Sequence, residues 1–581
     1  MNQMKYLWQI YIRISDHRWA VVGIIGGSAF ILGFIGYREL GQLNNKSYSF
    51  SDLYYLTLQL FVMYCESPAQ GWKLDVSRWL AIVATMSTAL FAAVALFHEQ
   101  IKRFRIRYLK NHAVICGVGR KGIRLVKELC RNGRVVVIEA DEKNDNIPVC
   151  RQLGAFVLTG DATDSIILEK AGVLRAKYVI AVCEKDSANV QIAVKVGKLL
   201  QNGTQYRNPV NCFVHIVNLR LCTLFRQHRI FYSTGRNFDV RVFNIFEISA
   251  RMMLKENPPD REPIGISYPR RVHLVVIGFG QMGESLVTEA AKIAHYANGK
   301  RLCITVIDRE AGTKEICFRT TYPRFGEICD IRFIASDYSL QLEQAKQWAA
   351  DPNFLTSFFI NLDDDTASLS CALSFDAAVS VSGIPFFVRM ANKNGLAVLL
   401  ENDDGKLSGR IKPFGIIREI CTKSYVLNEE PDRLAKKIHR NYLHKSMAAG
   451  VKMESRPSMQ PWKYLNPFYR SANRQQADHI YVKLRAVGAG VCPETDETEP
   501  FAFTEQEIQI LAKMEHARWC AHHYLEGYTR GPRDDEKKTH PDLIPWEELS
   551  EEAKVFDRET VHNIPEYLRL IGEKVCRNAK I

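Results

Sequence analysis

The sequence predicts an α/β protein. Two membrane helices come first, then two tandem doubly wound domains, then a mainly α C-terminal domain. Three observations carry this reading. Two charge-free apolar runs, at residues 19–37 and 80–97, each approach the ~20 residues that a bilayer core requires. A strand, a G-x-G-x-x-G turn, a helix and an acid-ended strand then occur twice, in HAVICGVGRKG and again in VHLVVIGFGQMG. Beyond residue 504, apolar residues recur at helical spacing around EHARW.

With 581 residues the chain exceeds a single core, so several domains are expected. The formal charge of +13 is spread among mixed Lys, Arg, Asp and Glu, with no dense basic patch interleaved with aromatics, which argues against a nucleic-acid partner. The 15 cysteines form no CxxC pair, and Cys116, Cys183, Cys303 and Cys371 sit in apolar runs, as reduced core cysteines do. No metal site is expected. His516, His522 and His523 lack partners at metal-ligand spacing. The acidic run Asp363-Asp364-Asp365 reads as a strand end and helix N-cap in preference to a calcium site.

In the first 108 residues, Lys5, Arg13 and Arg18 precede the first apolar run. Lys102, Arg103, Arg105, Arg107 and Lys110 follow the second. The positive-inside rule then puts both termini in the cytoplasm of a two-span protein of the inner (plasma) membrane, with residues 38–78 outside. Between the spans, SFSDLYYLTLQLF opens on a cap signal at Ser51-Asp52 and continues as a helix too short to cross. A short re-entrant helix between two spans resembles the pore module of potassium channels, whose filter reads T-x-V-G-Y-G-D. Aligned on Tyr64, Val62-Met63-Tyr64-Cys65-Glu66 would take the place of V-G-Y-G-D. Met63 and Cys65 stand where the family has glycines, and filter carbonyls converge only in conformations that cost a non-glycine residue. The expectation is a monovalent-cation path with poor potassium selectivity; an interfacial hairpin without a pore is the alternative.

Residues 109–255 form the first doubly wound domain. Gly117, Gly119 and Gly122 let the backbone approach a pyrophosphate. The following helix offers its positive N-terminus at Arg120, and Glu139 ends the next strand, where an acid takes a ribose hydroxyl. NAD(H) or another adenine nucleotide is the expected occupant. Together with VLTGDATD, which carries Asp161, and KYVIAVCEKDSANV, this stretch resembles the TrkA-type domain that regulates potassium conductance (RCK). The resemblance implies a Rossmann unit that assembles into a ring, here within a homotetramer. Asp161 reads either as a site residue or as an N-cap. Residues 269–440 repeat the grammar with Gly278, Gly280, Gly283 and Asp308; Ala335-Ser336-Asp337 replaces the GDAT run, so this copy is expected to be structural.

Residues 455–575 carry the third element. EHARW, GYTRGPRDDEKKTHPDLIPW and FDRETV resemble a ryanodine-receptor (RyR) repeat domain, and SANRQQADHI is expected to pack with it. Arg518, Trp519, Arg530, Arg533, Lys537, His540 and Trp546 join cations to indoles, which suits a small nucleotide-type anion; a structural helix-loop-helix with Trp519 in its core is the alternative. The module is expected to lie loosely until ligand cross-links neighbouring chains. Together these features describe a non-enzymatic, ligand-gated ion channel in the lipid bilayer. The alternative is a membrane-anchored NAD-binding redox or sensor protein with no pore; against an enzyme, no residue set after either glycine turn resembles a hydride-transfer site.

Overall fold

The computed structural model describes residues 2–64, 71–96, 104–202, 209–227, 238–379, 381, 383–391, 409–452, 456–494 and 501–577. The chain divides into two units, Met1–Tyr108 and Leu109–Ile581.

In the first unit a helix Asn2–Leu43 (α1) and a helix Trp72–Leu96 (α3) flank a short helix Phe50–Gln59 (α2). Trp19–Leu43 and Trp72–Ala93 are long and apolar enough to cross a membrane. The second begins well before the apolar run because Lys73, Asp75 and Arg78 sit on the first turns of the helix, where Lys73 pairs with Glu39. Small residues let the helices approach: a Cβ on Gly33 would lie 2.7 Å from Ser77 Oγ, and one on Gly36 would lie 3.2 Å from the Leu74 nitrogen. Ser77 donates to the Ala29 carbonyl at 2.6 Å, which satisfies its hydroxyl between the two helices. The cap of α2 is Ser49, not Ser51: its hydroxyl accepts from the Asp52 N–H and the Asp52 carboxylate accepts from the Ser49 N–H, a capping box.

The second unit holds two six-stranded parallel sheets. In the first, β1 (Ala113–Cys116), β2 (Val135–Glu139), β3 (Phe156–Thr159), β4 (Tyr178–Ala181), β5 (Val210–His215) and β6 (Phe238–Phe243) run in the order β3-β2-β1-β4-β5-β6. In the second, β7 (Arg271–Ile277), β8 (Leu302–Asp308), β9 (Cys329–Ala335), β10 (Phe354–Ile360), β11 (Phe386–Arg389) and β12 (Ile411–Phe414) run β12-β11-β10-β7-β8-β9, the same order counted within the repeat. This is the doubly wound Rossmann order, and in each sheet the strand sequence reverses beside the glycine turn. The third glycine of each turn is obligatory. A Cβ on Gly122 would sit 2.0 Å from the Gly117 carbonyl oxygen, and one on Gly283 would sit 2.2 Å from that of Gly278.

The C-terminal region is not loosely attached. Helices Pro467–Ala486 and Glu505–Leu525 share one continuous apolar core with the second sheet, joining Leu274, Val276 and Leu286 to Ile480, Leu511 and Val561. Polar bonds reinforce that seam. Arg485 grips Asp260 through two bonds of 2.8 and 2.9 Å, and the His479 imidazole meets the His295 carbonyl at 2.9 Å. An antiparallel pair, Ala489–Pro493 with Glu573–Arg577, closes the domain.

Candidate functional site

β1 is buried at all four positions, so the chain that leaves it must turn immediately. Gly117 makes that turn at φ +91°, against Cys183. Gly119 follows at φ −62° as the N-cap of the helix Arg120–Leu129. Glycine has no side chain to cap the helix, so the first-turn N–H groups face outward, as an anion site requires. Space for a ligand backs this geometry: a Cβ on Gly119 would meet nothing within 4 Å.

The turn opens on a cavity of about 850 Å³ lined by Gly117, Gly119, Arg120, Glu139 and Asp161. Five of the predicted cofactor residues are therefore brought together, and Gly122 lies beneath them. Glu139 is positioned by the turn itself: its Oε2 accepts the Val118 N–H at 2.8 Å and its Oε1 the Asp141 N–H at 3.1 Å. The far wall escaped sequence reasoning. Asp363, Arg389 and Gly415 of the second repeat close the same cavity. Asp161 is not the N-cap of the next helix. Asp164 takes that place with the Ile166 N–H, while Asp161 accepts the Thr163 N–H at 2.8 Å, and that backbone bond holds its carboxyl below the ordinary range. Asn189 ties the floor together, bonding both backbone groups of Cys183 and the His215 carbonyl.

The second turn is built alike, but its acid already holds a side-chain cation. Asp308 accepts the Phe279 N–H at 2.7 Å, the Glu310 N–H at 2.8 Å and the Lys314 ammonium at 2.8 Å. A Cβ on Gly280 would lie 4.0 Å from Asp363, which itself pairs with Arg389 at 3.1 Å. Asp337 is taken by Arg309 and by the Ser339 N–H. Asp364 caps its helix through the Ala367 N–H, which accounts for part of the acidic run. Among the described residues no His, Cys, Asp and Glu cluster could hold a metal.

The C-terminal cluster divides in two. Arg518 belongs to the core and does not face the loop: it is 3% exposed and bonds Glu515, which also receives Lys483 at 2.6 Å. Trp519 packs on His523 with ring centroids 3.9 Å apart and on His540 at 4.8 Å, and Trp546 packs on His516. Arg530, Arg533 and Lys537 stay exposed on the loop, with Lys537 3.6 Å from Asp534. Trp519, Trp546 and His540 thus gather around His516 and His523, while Arg518 is turned into the core.

In the first unit, Leu60–Val62 form a single 3-10 turn, and Met63 stops it in the left-handed region at φ +63° and ψ +26°. The backbone curls where a filter would run extended. The Tyr64 N–H returns to the Gln59 carbonyl at 3.1 Å, and Thr85 takes the Phe61 carbonyl at 3.0 Å. A β-carbon in this region costs on the order of 1–2 kcal/mol, so Met63 occupies a glycine-type position. Cys65, Glu66, Lys102 and Arg103 lie outside the described residues.

Comparison with known proteins agrees with this anatomy. Residues 113–210 match the TrkA-N domain and residues 502–577 the RyR domain. The chain carries one TrkA-N domain and one RyR domain by these matches. It is 37% identical over 99 residues to "Potassium channel protein 1" of Methanocaldococcus jannaschii, covering 17% of this chain and 30% of that protein. It is 27% identical over 121 residues to "Voltage-gated potassium channel Kch" of Escherichia coli, covering 20% and 29%. The chain spans less than a third of the length of these curated relatives. Among solved structures, the GsuK channel bound to NAD covers 72% of this chain and 84% of its own at 16% identity and a TM-score of 0.37. The GsuK bound to ADP covers 70% and 96% at 18% identity and 0.36.

Proposed function

We propose that this chain is the subunit of a homotetrameric, nucleotide-gated cation channel of the plasma membrane, with both termini cytoplasmic, and is not an enzyme. The observation that carries the reading is the cavity at the first glycine turn, whose walls come from both Rossmann repeats. A nucleotide there would place its pyrophosphate on Gly119 and the Arg120 N-terminus and a ribose hydroxyl on Glu139, and would touch Arg389 across the gap. NAD(H) or an adenine nucleotide fits this donor set. A ligand that bridges two domains binds one of their arrangements more tightly than others, and that differential affinity is what can shift a gate. The second turn, with its acid already neutralised by Lys314, serves as scaffold.

The Met63 and Cys65 substitutions support a monovalent-cation path that discriminates weakly between potassium and sodium. The partial homology to potassium channels supports the class of function. Ion flux from proteoliposomes tests the proposal: NAD(H), ATP, ADP or AMP should evoke cation flux in the wild type and none in Gly119→Trp. Absence of flux with every nucleotide, alongside intact binding, would favour a membrane-anchored nucleotide sensor without a pore.

A further inference from the structure

A second large cavity, of about 520 Å³, lies away from both glycine turns. The first repeat supplies one wall through Arg220, Arg226 and Arg241, the second repeat another through Lys292 and Tyr322, and the C-terminal region the third. That third wall is the N-terminal face of the helix Pro467–Ala486 and the segment carrying Lys538. All three domains build this cavity together.

Its charge is unbalanced. Seven cationic side chains line it against four carboxylates. Glu247 is matched by Arg226 at 2.7 Å, Glu429 by Arg241 at 3.4 Å, and Glu289 by Lys292. Arg474 is taken by Asp432. Arg220, Arg470 and Lys538 have no carboxylate within ion-pair distance among the described residues; Arg220 and Lys538 reach only backbone carbonyls of Cys317 and Glu526. Arg470 donates to the Lys463 carbonyl at 2.8 Å, yet its Nε is buried without an acceptor. The amide oxygen of Gln475, one turn further along the same wall, is buried without a donor. Burial, with Arg474 alongside, pushes the Arg470 guanidinium down to about 10. Folding alone gives no reason to desolvate a cation and leave it unmatched.

We propose that this cavity is a binding site for an organic phosphate of mononucleotide size. Arg470 and Arg220 would hold the phosphate, while Phe468, Tyr322 and Leu525 face its apolar part. Such a ligand would clamp the C-terminal domain to both repeats at once. The site is separate from the first glycine turn and does not depend on nucleotide binding there.

The test uses the full chain in detergent micelles, with Gly119→Trp to close the first cavity. The probes are ATP, ADP, AMP, NAD+, 3′,5′-cyclic AMP and a cyclic dinucleotide, read by calorimetry. At least one should bind the Gly119→Trp protein with Kd below about 100 µM. Adding Arg470→Met should weaken that binding at least tenfold, whereas Arg470→Lys should keep most of it. Without ligand, Arg470→Met should melt no lower than its parent, because it removes a half-buried guanidinium that has no ion-pair partner among the described residues; a purely structural arginine would lower the melting temperature. Arg220→Met reports on the opposite wall if Arg470→Met fails to fold, and the same tenfold weakening is expected. If every probe binds the wild type but none binds Gly119→Trp, or if binding ignores both arginine changes, this proposal is overturned while the reading of the first cavity stands.

Discussion

The two Rossmann repeats share strand order, glycine spacing and an acid at the end of the second strand, yet they differ in what that acid holds. Glu139 accepts two backbone N–H groups and faces a cavity; Asp308 accepts two backbone N–H groups and an ammonium. A Cβ on Gly119 would meet nothing within 4 Å, and one on Gly280 would meet only the exposed Asp363 carboxylate, at 4.0 Å. The lesson is that the motif encodes a fold, and the residues packed around it decide whether a ligand enters. Lys314 lies six residues beyond Asp308, outside any G-x-G-x-x-G pattern.

The first way to break the comparison targets what the repeats share. Gly122→Val and Gly283→Val each place a side chain on a backbone oxygen about one helical turn back, at 2.0 and 2.2 Å. Both should cost more than about 3 kcal/mol and abolish soluble expression of residues 109–581, since backbone cannot yield as a side-chain tip can. If one variant melted like wild type, the two turns would not be structural equivalents.

Acid should also treat the repeats alike. Burial pushes His273 down to about 4 and His295 to about 3 in the second repeat, and lowers His215 in the first. In the C-terminal domain burial takes His479 to about 4 and His523 to about 3. These imidazoles are neutral when folded and protonate near 6.5 when unfolded, so the unfolded state binds more protons below that pH. Stability is therefore full above pH 6.5 and falls as pH drops toward 4, by up to about 1.4 kcal/mol per imidazole per pH unit. His516 runs the opposite way: burial opposes its charge, but Asp557 at 3.6 Å, Cys520 and the Ile544 carbonyl together outweigh burial and raise it to about 10. Its contribution is complete below 6.5 and fades as pH climbs to 10. Melting curves from pH 4 to 8 check both signs, and His523→Gln should flatten the acid limb.

The sharpest contrast is in binding. Gly119→Val and Gly280→Val both have room for the new side chain at ordinary φ, so both should fold. Only Gly119→Val should lose nucleotide affinity, at least 100-fold, or about 2.8 kcal/mol. Equal losses in the two variants would show that the second turn is occupied after all.

The repeats, the short helix between two spans and the glycine turns are legible in the sequence, because each is a local pattern with a fixed period or a fixed conformational demand. The strand order follows from that repetition. What stays hidden is long-range. Arg389 and Asp363 reach the first cavity from more than two hundred residues away, and Arg518 reads as a ligand residue in sequence although Glu515 and Lys483 bury it in the fold. The C-terminal domain reads as a loose appendage because helical spacing shows that a face is buried, not against what. Met63 is the reverse case: its left-handed backbone keeps the conformation of a glycine whose identity is gone.

The smallest predicted effect asks whether Lys314 is what distinguishes the repeats. Its ammonium holds Asp308 Oδ2 at 2.8 Å; burial raises the carboxyl, and that bond together with the Phe279 and Glu310 N–H groups brings it below the ordinary range. Lys314→Met keeps the length of the side chain and removes its charge, leaving Asp308 the same two kinds of backbone contact that Glu139 has. The lysine is partly exposed, so screening limits the stability lost to under about 1 kcal/mol. In a Gly119→Val, Arg470→Met background, which silences both other sites, Lys314→Met should raise adenine-nucleotide affinity about tenfold, to a measurable sub-millimolar Kd. If it raises nothing, the barrier is Asp363 standing over Gly280 with Arg389 behind it, and Asp363→Ala should then open the turn in place of the lysine change. Either result assigns the closure to a named side chain; failure of both would mean that the second turn is closed by its backbone, and that the two repeats differ more deeply than their shared strand order suggests.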